Sequence, residues 1–257
     1  MPEPISAPKP ILRQIDAIVL IIGIVVGAGI FRAPSVVASN TPSEYWFLGV
    51  WVLGGVISII GALCYSELSS SFPNAGGDYH FLKLAFGKRF SFLFAWSRIT
   101  ITQTGSIAIL AYIAGDYLTQ LMPLGAFSST YYALTIIIIL SLINILGIQF
   151  GTSIQKLLIS MQFIGIFIIV LLGVLNDPAT SVSISENSSP LNGSPTASIS
   201  LALIFVLLTF GGWNEAAYIS SELKSGSKKM TLVLVASIVL ITSIYLLINI
   251  SFLRVLG

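Results

Sequence analysis

Two long apolar runs of this chain are each interrupted by a pair of closely spaced glycines. The first interruption is Gly27-Ala28-Gly29-Ile30-Phe31, inside the run from Ile15 to about Ala38. The second is Phe210-Gly211-Gly212-Trp213-Asn214, inside the run from Leu201 to about Leu223. Within a helix a glycine costs roughly 1 kcal/mol relative to alanine. Within a bilayer, backbone groups released from a helix must also find partners, because no water is there to supply them. Membrane spans interrupted by glycine in corresponding places are the sequence pattern of a site built from broken helices.

Composition sets the class. The chain is 55% hydrophobic and 9% charged, whereas soluble domains carry about 25% charged residues. Its mean hydropathy is +0.96. These values describe an all-α polytopic membrane protein, with the lipid bilayer as its first partner. A net charge of +2 gives no sign of a nucleic-acid partner. The lone Cys64 excludes a disulfide within the chain and a cysteine metal site. The lone His80 excludes a histidine-pair zinc motif and argues against a serine–histidine triad. No enzyme activity and no cofactor are expected. Residues 1–14 are polar and Pro-rich, and the first apolar run is too long for a cleavable signal peptide.

A span needs about 20 apolar residues. Seven candidates follow, at about 15–38, 46–72, 90–121, 131–149, 154–175, 200–223 and 231–256. Lys9, Arg13, Lys83, Lys88, Arg89, Lys156, Lys224, Lys228 and Lys229 all fall at ends that share one side of the membrane. The loops 122–130 and 176–199 on the other side hold no Lys or Arg. By the positive-inside rule the N-terminus is cytoplasmic. The Ser/Asn/Pro/Gly-rich stretch 176–199 is then an extracellular loop. Its Asn187-Ser188-Ser189 and Asn192-Gly193-Ser194 triplets are common by chance in such a composition and carry no weight.

Four segments resemble the amino acid–polyamine–organocation (APC) superfamily of permeases, particularly its L-type transporter-like branch. They are Ile24 to Pro34 (IVVGAGIFRAP), Tyr65 to Gly87 (YSELSSSFPNAGGDYHFLKLAFG), Gln103 to Ala108 (QTGSIA) and Phe210 to Lys224 (FGGWNEAAYISSELK). The resemblance implies a leucine-transporter (LeuT) type fold, with two inverted five-helix repeats whose first helices are unwound at mid-membrane. It divides the chain into a cytoplasmic tail (1–14), a first repeat of five helices (15–175), an extracellular loop (176–199) and the start of a second repeat (200–257). The later helices of that repeat would be missing. The implied function is secondary transport of amino acids, of neutral type, across the plasma membrane by alternating access. The alternative is a truncated, non-transporting membrane fragment or accessory subunit. An intramembrane hydrolase lacks a nucleophile–base pair, and a selective pore lacks a ring of carboxylates or a filter-like repeat.

An amino acid is a zwitterion, so its carboxylate needs donors and its ammonium needs acceptors. Amides at the start of a half-helix meet an anion, and carbonyls at the end of the preceding half-helix meet a cation. Small residues at Gly27, Ala28 and Gly29 allow close backbone approach. By resemblance, the amides around Ala28, Gly29 and Ile30 bind the carboxylate, and the carbonyls around Ile24, Val25 and Phe210 bind the amino group. Helix packing through Gly23-x-x-x-Gly27 is the competing reading of the first cluster. Phe210 and Trp213, flanking Gly211-Gly212, are either a lid and wall for substrate or ordinary bundle aromatics. The family's aromatic gate falls at Leu208, a departure.

Asn214 and Glu215 follow the second break, and an intramembrane carboxylate is a functional candidate by default. Glu215 either shuttles a proton, pairs with a cation or has a structural partner. Glu67 reads as structural, and Arg98 as snorkelling to the interface. Gln162 stands where many relatives have a lysine that replaces a sodium ion, so coupling to H+ or Na+ is left open. The Thr102, Thr104, Gly105 and Ser106 patch reads as helix packing. No signal for oligomeric state is present.

Overall fold

The computed structural model describes residues 12–145, 148–175, 195–223 and 229–256. In chain order the helices are α1 (Gln14–Val25), α2 (Gly29–Ser39), α3 (Glu44–Ser71) and α4 (Gly77–Ser97). A π-helical segment (Arg98–Gln103) leads into α5 (Thr104–Leu121), α6 (Ser128–Ile145), α7 (Ile148–Leu175) and α8 (Pro195–Phe210). A 3-10 helix (Trp213–Glu222) and α9 (Met230–Leu256) complete the order. No strand occurs among the described residues, only an isolated bridge between Leu12 and Leu223. Of the expected tail only residues 12–14 are described, Gln14 already opening α1, and of the expected extracellular loop only residues 195–199, the start of α8. Proline suits that first turn, since its missing N–H would have no intrahelical acceptor there.

Five helices are long and apolar enough to cross a membrane: Glu44–Ser71, Ser128–Ile145, Ser153–Leu175, Ser198–Ser220 and Met230–Val255. A sixth results if α1 and α2, bent by 54°, form one span. These six fall close to expected positions. The third expected span, 90–121, is instead divided by the π-helical segment, and α5 opens with the polar Thr104-Gly105-Ser106. The link at 73–89 is also more ordered than a connector. Asn74 Oδ1 accepts the Gly76 amide at 2.8 Å and starts α4, and Gly87, at φ +83°, kinks it ten residues later.

The chain forms two compact units, Met1–Phe81 with Gly165–Gly257, and Leu82–Ile164. In the first, α9 buries Met230, Leu234, Ile238, Ile241, Tyr245 and Ile248. Steps of three and four residues put these on one helical face. That face meets α1 and α3. Helix α3 lets its neighbours approach through missing side chains. A Cβ on Gly54 would run into Val206 of α8, one on Gly55 would lie 2.5 Å from Thr242 Oγ1 of α9, and one on Gly61 would lie 2.8 Å from the Trp213 indole. Apolar burial drives little association in lipid, so such close packing is a main source of helix affinity. At the start of α1, Asp16 accepts the Arg13 amide at 3.2 Å and its Nε at 3.1 Å. The hydrogen bond and the carboxylate charge hold the Arg13 guanidinium above its ordinary pKa.

The second unit is built around the antiparallel pair α5 and α6. Ser129 Oγ donates to Asp116 Oδ1 at 2.6 Å, Tyr132 OH donates to Met122 O at 2.9 Å, and Gly115 leaves room for the Ser129 backbone.

Gly54→Val is expected to lower the thermal midpoint of the purified protein, because overpacking a tight contact costs about 1–3 kcal/mol. Gly49→Ala on the same helix, where an added Cβ meets nothing within 4 Å, is expected to leave the midpoint unchanged or raise it. Equal losses in the two variants would show that α3 does not pack through Gly54.

Candidate functional site

The two glycine clusters lie against each other. Helix α1 stops at Val25, and α2 begins at Gly29. Helix α8 stops at Phe210, and the 3-10 helix begins at Trp213. A Cβ on Gly29 would lie 3.2 Å from Thr209 Cγ2, one residue before the end of α8. A Cβ on Gly212 would lie 3.2 Å from Ile24 Cγ2 and 3.7 Å from Ile24 O. Each break therefore packs on the residues flanking the other. The four halves pair crosswise, α1 with the 3-10 helix and α2 with α8. The bridge from Leu12 to Leu223 joins the far ends of the first of these pairs.

The breaks differ in kind. Ala28 keeps helical angles, φ −60° and ψ −20°, and Val26 leaves the helix at ψ 93°. Gly212 takes φ +110°, a left-handed value that favours glycine. Gly211 N donates to Leu208 O at 3.1 Å, and Glu215 N donates to Gly212 O at 3.0 Å. At the first break, Phe31 N donates to Ala28 O at 3.2 Å.

The ends of both half-helices converge on one side chain that the sequence reading passed over. Tyr245 of α9 is fully buried. Its hydroxyl lies 3.1 Å from Val25 O and 3.0 Å from Thr209 O, donating to both carbonyls. The single phenolic proton is shared between them. The ring is held edge-on by Phe210, with centroids 5.0 Å apart, and by Trp51 of α3 at 5.6 Å. The usable signal was a lone tyrosine in the middle of the last apolar run. Its hydroxyl needs a partner at that depth, and main-chain carbonyls released by a break are such partners.

The remaining expected residues divide clearly. Val25, Ile30 and Phe210 are buried, and Gly27 and Gly29 sit at the junction. Ile24 is 42% exposed, although it contacts Gly212. Trp213 stacks edge-on to Tyr65 of α3, centroids 5.3 Å apart. Leu208 is 70% exposed. Asn214 and Glu215 occupy the first turn of the 3-10 helix and are half-buried. Gln162 belongs to the second unit and is half-buried on α7. Glu67 is exposed and accepts from Ser71 Oγ at 3.4 Å. Arg98 opens the π-helical segment, and Thr102, Thr104 and Ser106 are exposed within their unit. Among the described residues no cluster of His, Cys, Asp or Glu fits a metal ion.

Tyr245→Phe keeps the ring and removes the shared proton. Leaving buried polar groups without a partner costs about 1–3 kcal/mol, so the thermal midpoint is expected to fall, while Tyr131→Phe, on an exposed residue, leaves it in place. An unchanged midpoint in Tyr245→Phe would mean that the two helix ends do not depend on the hydroxyl.

Residues 12–257 match the family model described as amino acid permease. The chain is 31% identical to the rabbit (Oryctolagus cuniculus) b(0,+)-type amino acid transporter 1, over 94% of its own length and 50% of the relative's. It is 29% identical to the human (Homo sapiens) Asc-type amino acid transporter 1, over 95% and 48% of the two lengths. Against the serine/threonine exchanger SteT of Bacillus subtilis (strain 168), identity is 27% over 94% and 54%. The chain thus spans about half the length of the curated relatives it matches. Residues 12–257 match one family model along nearly the whole chain, and the described residues are helical with no strand, which leads to one assignment: the chain belongs to the amino acid permease family.

Proposed function

We propose that this chain is the substrate-holding part of a secondary transporter that moves neutral amino acids across the plasma membrane by alternating access. The observation that carries the reading is the mutual packing of the two breaks, Gly29 on Thr209 and Gly212 on Ile24. Start-of-helix amides at Ala28, Gly29 and Ile30 hold the substrate carboxylate, with the α2 dipole favouring negative charge. Ile24 O, Val25 O and Phe210 O face the ammonium group. Val25 O already accepts from Tyr245, and a carbonyl has a second lone pair to offer. Gly211, Gly212 and Trp213 form the wall opposite. Recognition of the main-chain atoms common to all amino acids fits relatives named as b(0,+)-type and Asc-type amino acid transporters and as a serine/threonine exchanger.

Helix α8 and the 3-10 helix make up the sixth span, and α9 the seventh. The first five-helix repeat takes in α1 to α7, and a second repeat begins at α8. Leu208, Asn214, Glu215 and Gln162 are the gating or coupling candidates in this reading, and neither H+ nor Na+ is selected. Exposed Arg13, Lys83, Lys88, Arg89, Lys156 and Lys229 favour a cytoplasmic N-terminus. Arg254 sits at the opposite end, in the last turn of α9, where the helix dipole favours a cation.

Gly29→Val in the full-length protein is expected to abolish amino-acid binding while membrane insertion is retained, since even a Cβ there meets Thr209. Equilibrium binding of a radiolabelled neutral amino acid, competed with each of the twenty, is the measurement; wild-type affinity in the variant would remove Gly29 from the site. For orientation, an epitope at the N-terminus is expected to be hidden on intact cells and one at Ser188 to be accessible. The reverse pattern would invert the topology.

A further inference from the structure

Two residues that touch Tyr245, Trp51 through its ring and Asn249 through the Tyr245 carbonyl, carry enclosed polar atoms of opposite kind. Trp51 and Asn249 are both 0% exposed. The Trp51 Nε1–H, which can only donate, and Asn249 Oδ1, which can only accept, each lack a partner among the described residues. The orientation of the Asn249 amide is fixed, because its Nδ2 donates to Tyr245 O at 2.7 Å and an oxygen there would face another acceptor. Its Oδ1 therefore points away from its own helix backbone.

Helix register sets Trp51 and Asn249 about one turn apart along the packed faces of α3 and α9. Thr231 Oγ1 donates to Ser66 Oγ at 3.0 Å, Gly55 lies on Thr242, and Trp51 stacks on Tyr245. Each step toward the start of α3 thus matches a step toward the end of α9. Continued for one more turn, the register sets Asn249 opposite Leu48. Side chains on a helix lean toward its N-terminus, so the Trp51 indole reaches back toward that same level. A buried donor or acceptor without a partner costs more in a membrane interior than almost any packing defect. Complementary orphans on adjacent helices are the setting in which a buried water is retained.

We infer that a single water molecule is bound between Trp51 Nε1 and Asn249 Oδ1, as a fixed hydrogen-bonded link between α3 and α9. It accepts from the indole N–H and donates to the amide oxygen. Two hydrogen bonds of about 2.9 Å span groups up to roughly 5 Å apart. Because Trp51 also packs on Phe210, the link steadies the rings that hold the Tyr245 hydroxyl against Val25 O and Thr209 O. It is a positioning element and is independent of the identity of the transported ligand.

The test is proton-detected NMR of the full-length protein in nanodiscs, with 15N-labelled tryptophan. Trp51→Phe removes one indole peak and so assigns it. The assigned peak is expected to show slow exchange and a cross-peak to a bound water. Asn249→Leu is expected to shift that peak and abolish its water cross-peak, leaving the peaks of Trp46, Trp96 and Trp213 in place; Asn249→Val serves if the leucine variant does not fold. In thermal melts, each single variant loses stability, and Trp51→Phe with Asn249→Leu together loses less than the sum of the two, because replacing both partners by apolar groups is nearly neutral. A Trp51 peak without a water cross-peak in the wild type, a peak indifferent to Asn249, or strictly additive losses would each overturn the inference. A shift without any water cross-peak would mean a direct bond, and would overturn it too.

Discussion

One hydroxyl holds the ends of two interrupted helices. Val25 O and Thr209 O stand at the last turns of α1 and α8, where carbonyls have no intrahelical donor. In water the solvent would satisfy them. In a bilayer they need a donor carried in by another helix, and α9 brings Tyr245. Its position explains much of the surrounding structure. Phe210 closes α8 and stacks on the Tyr245 ring. Trp51 reaches both rings from α3. The largest buried side chains of the first unit thus gather where the main chain is least regular.

That gathering needs helices to come very close, and glycine provides the space at three levels of α3. Gly54 admits Val206, Gly55 admits Thr242 and Gly61 admits Trp213. The 3-10 helix that follows the second break uses the space differently. With three residues per turn, its side chains at i and i+3 eclipse. Trp213, Ala216 and Ile219 form one row, all packed on or within the core. Ala217 and Ser220 form another buried row, with Ser220 Oγ donating to Ala217 O at 2.7 Å. Tyr218, in the third row with Glu215, lies over Gly77 at the start of α4. A run of ten residues in this geometry is long, since stretches beyond three or four are uncommon.

Local pattern made the breaks legible, and long-range pairing hid their partners. Gly27, Gly29, Gly211 and Gly212 stand out because each violates helix preference inside an apolar run, and that signal needs no neighbour. Span limits followed from hydropathy, so Ser153–Leu175 and Met230–Val255 fall almost where expected. Within the expected third span a π-helical turn leaves no mark in hydropathy; Arg98–Gln103 reads like any polar-flecked helix. Tyr245 was missed for a different reason. Its importance depends on two carbonyls 220 and 36 residues away in sequence, and no local rule couples them. Leu208, which the family resemblance sets at the gate position, is 70% exposed.

The two breaks also show that glycine can be required for separate physical reasons within one site. At Gly212 the backbone demands it, because φ is +110° and any L side chain there is strained. At Gly29 the backbone is helical, and the demand comes from Thr209, close enough to crowd a Cβ. Gly27 meets neither demand. Its φ is not positive, and a Cβ there would approach nothing nearer than Val25 O at 3.9 Å. Among the described residues, packing gives no reason for glycine at 27. On the proposed function the reason is the ligand itself: an amino acid reading the main chain must come within hydrogen-bonding distance, and a side chain at position 27 would stand in its way.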